Sequence, residues 1–441
     1  MEQVIEKQIM RKLFIRLTPL LMVLYIIAYL DRVNISFAAL TMNKDLGLDA
    51  YTYGWGAGIF FIGYFIFEIP SNLILARVGA RRWIARILFT WGIVAVAMAW
   101  VEGPKSFLVM RFLLGVAEAG FFPGVILYLT YWFPVRYRAR IISRFMVAIP
   151  LALAVGAPLS TWIMKLDGVL GYKGWQWLFM VEGLPAILLT FAVLKFMPDG
   201  PSGVSWLNEN EKRWLEKELI SGGETVAVAK KESSIMRALT NPLMWAFSLI
   251  YMAATASNLG LSMFLPQIIK QQGFSTMQTG FIMSIPYIAG CIGMLAIGHS
   301  SDHYKERKWH LSGSLALAAI GLGIAGFLGS TVGAIAVICI ATIGIMGSKG
   351  PFWPLPSAYL SGAGAAAGIA LINSIGNLGG FVGPWAVGLA KQTTNSFSGG
   401  LYALALIALA GAILTVITVK VRKQQAEVIE QVVGGKTPGG F

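Results

Sequence analysis

Apolar residues run along this chain in long, nearly unbroken stretches. A membrane span needs about 20 mostly apolar residues. Stretches of that kind fall at 17–40, 54–76, 83–101, 106–131, 141–164, 175–197, 241–269, 277–299, 309–328, 332–360, 364–389 and 398–420, which makes twelve predicted helices. The longest polar stretch, Pro198 to Thr240, separates six of them from the other six. The pattern therefore predicts an all-α integral membrane protein. It has an N-terminal six-helix bundle over 1–197, a cytoplasmic central loop over 198–240, a second six-helix bundle over 241–420 and a cytoplasmic tail over 421–441. Inside the central loop, WLNENEKRWLEKEL (Trp206–Leu219) predicts an amphipathic helix of mixed charge, read as a solvated linker between the bundles.

Composition agrees. Of 441 residues, 56% are hydrophobic and only 13% charged, against roughly a quarter charged in soluble domains. A soluble chain this apolar would expose far too much hydrophobic surface, so lipid bilayer is the expected surroundings. The net charge of +14 does not call for nucleic acid, because basic residues gather in the cytoplasmic loops of membrane proteins. With the N-terminus inside, the inner segments hold 25 Lys and Arg, including Arg77, Arg81, Arg82 and Arg86, then Arg136, Arg138, Arg140 and Arg144; the outer loops hold six. That bias predicts both termini in the cytoplasm. The first apolar run follows Lys7, Arg11, Lys12 and Arg16 but lacks a small-residue cleavage site, so it should remain as a helix. Cys291 and Cys339 lie in apolar runs and read as free core thiols.

The halves share weak internal similarity. NLILARVGARR (Asn72–Arg82) follows the second predicted helix, and GHSSDHYKERK (Gly298–Lys308) follows the eighth. Both resemble the G-x-x-x-D-R-x-G-R-K loop signature of the major facilitator superfamily. The second keeps Gly298 and Asp302, with His303 in the Arg place; the first keeps Arg77, Gly79 and Arg81 but has Asn72 and Ala76 where Gly and Asp are usual. YLDRVN (Tyr29–Asn34), RFLLGVAEAGFFPG (Arg111–Gly124), GPFWPLP (Gly350–Pro356) and INSIGNLGGFVGP (Ile372–Pro384) resemble the anion:cation symporter branch. That branch holds carriers of tartrate, phthalate, hydroxyphenylacetate and sugar acids. The resemblance implies the major facilitator fold of two pseudo-symmetric bundles, a substrate site where the repeats meet, and alternating access. It implies a small organic carboxylate as substrate, with a co-transported proton rather than sodium. The loop MPDGPSGVSWL is closer to the bacterial members, which points to a bacterial inner membrane.

Buried charges point the same way independently. The predicted spans contain Asp31, Arg32, Glu68, Arg111, Glu118, Glu182 and Lys349. Each charge at the bilayer centre costs about 2.5–3.5 kcal/mol, so it must pair, face water or serve transport. At ~1.5 Å per residue, Arg32 lies ~22 Å from the inner end of its helix and Arg111 ~8 Å from the outer end of its own, at similar depth in a core ~30 Å thick. Glu118 is on one helix face with Arg111 but ~10 Å along from it, so it needs a partner on another helix or holds a proton part of the time. Arg32 is the expected anchor for a substrate carboxylate, since a guanidinium offers paired donors matched to it. Arg111 is expected to assist or to pair with Asp31 in the empty state, and Asp31 and Glu118 to carry protons. Glu68 and Glu182 read as structural, and Lys349 as reaching the inner surface.

Tyr29 lies three residues before Arg32, on its face. Tyr64, Trp353 and Asn373 match substrate-pocket positions by resemblance, and Asn377 shares the face of Asn373. Arg77, Arg81 and Asp302 are expected to latch the cytoplasmic side. Gly115, Gly120 and Gly124 and the glycines of 376–383 allow close helix contact. GGKT at Gly434–Thr437 lacks the first glycine of a phosphate loop, with Glu430 in its place. His299 and His303 have no third ligand, so neither metal nor organic cofactor is expected. No hydrolase motif occurs, and the chain reads as a monomeric transporter rather than an enzyme. An uncoupled facilitator, an anion exchanger and a non-transporting sensor are the alternatives.

Overall fold

The computed structural model describes residues 2–134, 137, 138, 141, 148–221, 240–329, 331–359 and 363–419. Arg136, Arg140, Arg144, residues 222–239 of the central loop and the 421–441 tail lie outside the described residues. The described chain is helical throughout, in the order α1 (Glu2–Asp45), α2 (Ala50–Val78), α3 (Ala80–Ala97), α4 (Pro104–Glu118), α5 (Phe121–Thr130), α6 (Ala148–Ile163), α7 (Gly174–Phe196), α8 (Glu209–Ser221), α9 (Pro242–Lys270), α10 (Thr276–His303), α11 (Lys308–Leu328), α12 (Val332–Gly347), α13 (Lys349–Phe352), α14 (Pro354–Tyr359), α15 (Ala363–Asn377), α16 (Gly379–Thr394) and α17 (Phe397–Thr418).

Ten helical stretches among the described residues are long and apolar enough to cross a membrane. Of the two other expected spans, 141–164 is described in part as α6, and 364–389 is divided into α15 and α16, which meet at Leu378. The first helix is longer than expected: α1 has 44 residues, because its basic N-terminal turns carry on beyond the apolar run.

The chain divides into two compact units, one made of Met1–Ala229, Ser262–Ile285 and Pro384–Asn395, the other of Lys230–Leu261, Pro286–Gly383 and Ser396–Phe441. In the first unit, α2 and α4 touch backbone to backbone. A β-carbon at Gly115 would stand 2.0 Å from the Phe60 carbonyl oxygen, and one at Gly63 would stand 2.6 Å from that of Phe112. Only glycine permits this approach, and dispersion across it holds the helices where lipid supplies no hydrophobic drive. The Tyr53 hydroxyl donates to the Met263 carbonyl at 2.9 Å, and the Ser284 hydroxyl to that of Ala154 at 2.7 Å, so the Ser262–Ile285 segment is tied to α2 and α6. In the second unit the core gathers Met244, Phe247, Ile250, Leu311, Leu315, Phe352 and Ile372.

The amphipathic segment is docked rather than merely solvated. Glu211, 5% exposed, receives Lys12 Nζ at 2.7 Å, and it closes the start of α8 by exchanging hydrogen bonds with Asn208. Trp206 stacks on Trp132 with ring centroids 5.8 Å apart.

Candidate functional site

The site in the first unit begins with a helix break. The fourth predicted span is not one helix: Ala119 is extended (ψ 131°) and Gly120 is left-handed (φ 86°), so α4 stops at Glu118 and α5 starts at Phe121. Left-handed backbone costs an L-residue roughly 1–2 kcal/mol, which explains glycine here. A β-carbon at Gly120 would also lie 2.3 Å from the Ser71 hydroxyl oxygen. The break frees the Ala119 carbonyl, and Ser71 repairs it by donating at 2.7 Å while accepting from Trp83 Nε1 at 2.9 Å. Glu118 is thus set on a terminus fixed by its own network.

Its partner is Arg32 of α1. Arg32 Nε lies 2.7 Å and an Nη 2.5 Å from Glu118 Oε1. Both contacts fall on one oxygen; Oε2 is buried with no hydrogen-bond partner. The Glu118 side chain is wholly buried and that of Arg32 is 14% exposed. Three rings surround the guanidinium, with centroids 5.7 Å (Tyr29), 5.7 Å (Phe60) and 5.3 Å (Tyr64) from its central carbon. Aromatic faces attract the cation at that range and exclude water. Arg32 thus stands as the partner of Glu118 from another helix.

Arg111 does not pair with Asp31 as expected. It is 1% exposed and donates to the carbonyls of Gly56 (3.1 Å) and Ala57 (3.4 Å). The close α2–α4 approach brings those carbonyls within reach. The Phe60 ring lies 5.1 Å from its guanidinium, and so borders both arginines. Asp31 is instead held by Trp91 Nε1 at 2.5 Å and Asn34 Nδ2 at 3.1 Å. Among the described residues it forms no ion pair.

The candidates from the second half lie in the second unit. Trp353 packs edge-on to Tyr251 (5.0 Å) and Phe352 (5.3 Å), while Tyr251 and Phe352 stack at 5.1 Å. Asn373 and Asn377 are half-buried on the last turns of α15. The loop residues find local surroundings: Arg77 is exposed, Arg81 lies 3.9 Å from Asp199, and Asp302 pairs with Arg307 at 2.5 Å. Lys349 opens the short α13, which contains Gly350 and Pro351 and is set off by Ser348 and Trp353. Sequence reasoning missed Trp91, Phe60 and Tyr251, since an aromatic in an apolar run carries no mark of function. Asn34 sits in the YLDRVN motif and was within reach.

Ten described helical stretches able to cross a bilayer make this a multi-pass membrane protein, and an arginine paired with one oxygen of a buried carboxyl inside such spans marks a functional site. The profile of the Major Facilitator Superfamily matches residues 21–384, and the chain belongs to that family. It is 49% identical over 413 residues to a protein of Agrobacterium vitis provisionally named a tartrate transporter, covering 94% of this chain and 95% of the relative. It is 45% identical to a quinolone resistance transporter of Acinetobacter baumannii (96% and 98% covered), and 37% identical to the inner membrane transport protein RhmT of Escherichia coli (95% and 97%). Among solved structures, a D-xylose–proton symporter superposes with a TM-score of 0.71 at 17% identity, covering 92% of this chain and 98% of that one; this shows the shared fold.

Proposed function

We propose that this chain is a secondary active transporter that imports a small organic carboxylate together with protons by alternating access. The observation that carries the reading is the Arg32–Glu118 pair: a caged guanidinium whose internal carboxylate holds it through a single oxygen. An incoming carboxylate offers the paired geometry that Glu118 does not use. Once Glu118 takes up a proton it releases Arg32, and the substrate replaces it.

In this reading Arg32 anchors the substrate, Arg111 adds positive potential, and Tyr29 and Tyr64 wall the site. Trp353, Asn373 and Asn377 recognise the rest of the substrate. Asp31 and Glu118 carry protons. Arg77, Arg81 and Asp302 act on the cytoplasmic side, although Arg81 and Asp302 each have a local partner. The protein works as a monomer in a bacterial cytoplasmic membrane with both termini inside. The relative named for tartrate supports a hydroxylated carboxylate.

Proteoliposomes test this. Under an acid-outside gradient, labelled tartrate or another member of a small carboxylate panel accumulates above its outer concentration, and collapsing the gradient abolishes that. Equal uptake with and without the gradient would indicate a facilitator, and uptake only into preloaded vesicles an exchanger. The relative named for quinolone resistance favours a second reading, export of an aromatic drug. It predicts that a quinolone, and no carboxylate of the panel, moves against its gradient in the same vesicles.

A further inference from the structure

Glu182 is a buried carboxyl that the proposed transport cycle leaves without a task. It sits on α7, 5% exposed, and no cation pairs with it among the described residues. Its Oε1 accepts from the Ser160 hydroxyl of α6 at 2.7 Å; its Oε2 is buried with no hydrogen-bond partner. From α1, the groups that face it are Asp31 and the Asn34 side chain. From α3, Ala95 and Val96 pack against the adjacent Gly183. Asn34 donates to Asp31 at 3.1 Å, yet its own Oδ1 is buried without a partner, and Asn34 is 1% exposed.

Asp31, Asn34, Glu182 and Ser160 therefore form one buried polar cluster with two unpartnered oxygens, in which Arg111 and Glu118 act on Asp31 while Glu182 has no ion-pair partner among the described residues. A lone carboxylate in such surroundings is too costly to persist uncompensated, and the second negative charge of Asp31 adds to that cost. Binding a proton removes the charge and turns the Glu182 acceptor into a donor. Asn34 Oδ1 is an acceptor waiting for one, and turning its amide over exchanges its donor and acceptor ends. A sodium ion would need more oxygen ligands than these two orphans supply.

We propose that Glu182 is a third proton-carrying carboxyl, coupled to Asp31 through the Asn34 amide. The O–H bond forms at Glu182 with a proton taken from water on the outer side and breaks by returning it to water on the inner side. This rests on the proton-symport reading, and the experiment separates the two. In proteoliposomes, the substrate gradient that just balances a set pH gradient gives the number of protons moved per substrate. If the wild-type protein shows no balance point that depends on pH, the symport reading itself fails.

If it does, Glu182→Gln lowers the ratio by one proton per substrate, whereas Glu182→Asp restores it. An unchanged ratio in Glu182→Gln overturns the proposal, as does a ratio that follows the sodium gradient. Ser160→Ala deletes only the hydroxyl that Glu182 accepts from. It displaces the pH profile of uptake, and an unmoved profile counts against the proposal even if Glu182→Gln does not reach the membrane.

Discussion

Replacing Glu118 by Gln probes the site most directly. Glutamine keeps the length of the side chain and offers Arg32 a neutral amide oxygen in place of a carboxylate. Arg32 now directs two charge-assisted contacts, at 2.7 and 2.5 Å, to one oxygen of Glu118. Hydrogen bonds to charged groups are worth about 1.5–3 kcal/mol and neutral ones about 0.5–1.5. The substrate thus meets a competitor weakened by about 1–3 kcal/mol, which is about 5- to 150-fold in affinity. Titration of the purified protein with its carboxylate should show tighter binding in Glu118→Gln by a factor in that range. In the wild type, affinity should rise as pH falls, approaching that of the variant, because a proton on Glu118 frees Arg32 in the same way. The variant should have lost that pH dependence and, with it, gradient-driven accumulation. Arg32→Lys provides the converse: it keeps the charge, loses the fork, and should bind more weakly at every pH. Binding in Glu118→Gln that is equal to or weaker than wild type, with its pH dependence intact, refutes the competition between Glu118 and substrate.

Other perturbations follow from the helix geometry. Gly120→Ala combines left-handed strain of about 1–2 kcal/mol with overpacking against Ser71 of about 1–3, so it should lower stability to denaturation by about 2–5 kcal/mol and abolish uptake by displacing Glu118. Tyr53→Phe removes one neutral hydrogen bond to the Met263 carbonyl, and melting curves should show a loss of about 0.5–1.5 kcal/mol. Lys12→Met should cost stability little: its side chain is 44% exposed, and pairs with an exposed member contribute about 0–1 kcal/mol. A reporter active only outside the membrane, fused to either terminus, should stay silent.

The spans were legible because a chain folding in water rarely strings together apolar runs of bilayer length, and the buried charges stood out against them. The break at Gly120 was not. A glycine inside an apolar run looks the same whether it serves close packing, as Gly115 does, or a left-handed turn. Expecting Arg111 to find Asp31 failed for a related reason. Charge and depth predict which groups attract, but not that two backbone carbonyls will stand nearer once α2 and α4 meet across glycines. Glu182 looked structural because nothing in its own helix marks it. Its interest comes from Asp31 and Asn34, which only the fold brings beside it.

Charge balance in the first unit gives the coupling a cause that does not depend on any single relay. Two guanidiniums, Arg32 and Arg111, stand among four buried membrane carboxyls, Asp31, Glu68, Glu118 and Glu182. Fully ionised, that set already carries a negative excess, and a carboxylate substrate deepens it. Each uncompensated charge in the membrane interior costs several kcal/mol. The carrier can hold its anion only by shedding negative charge elsewhere, and a proton on a carboxyl does so with the least rearrangement. Neutral isosteres at the acids should therefore differ in kind from those at the arginines. At the acids they leave an anion bound but weaken its coupling to the gradient; at Arg32 they remove the reason for the anion to enter.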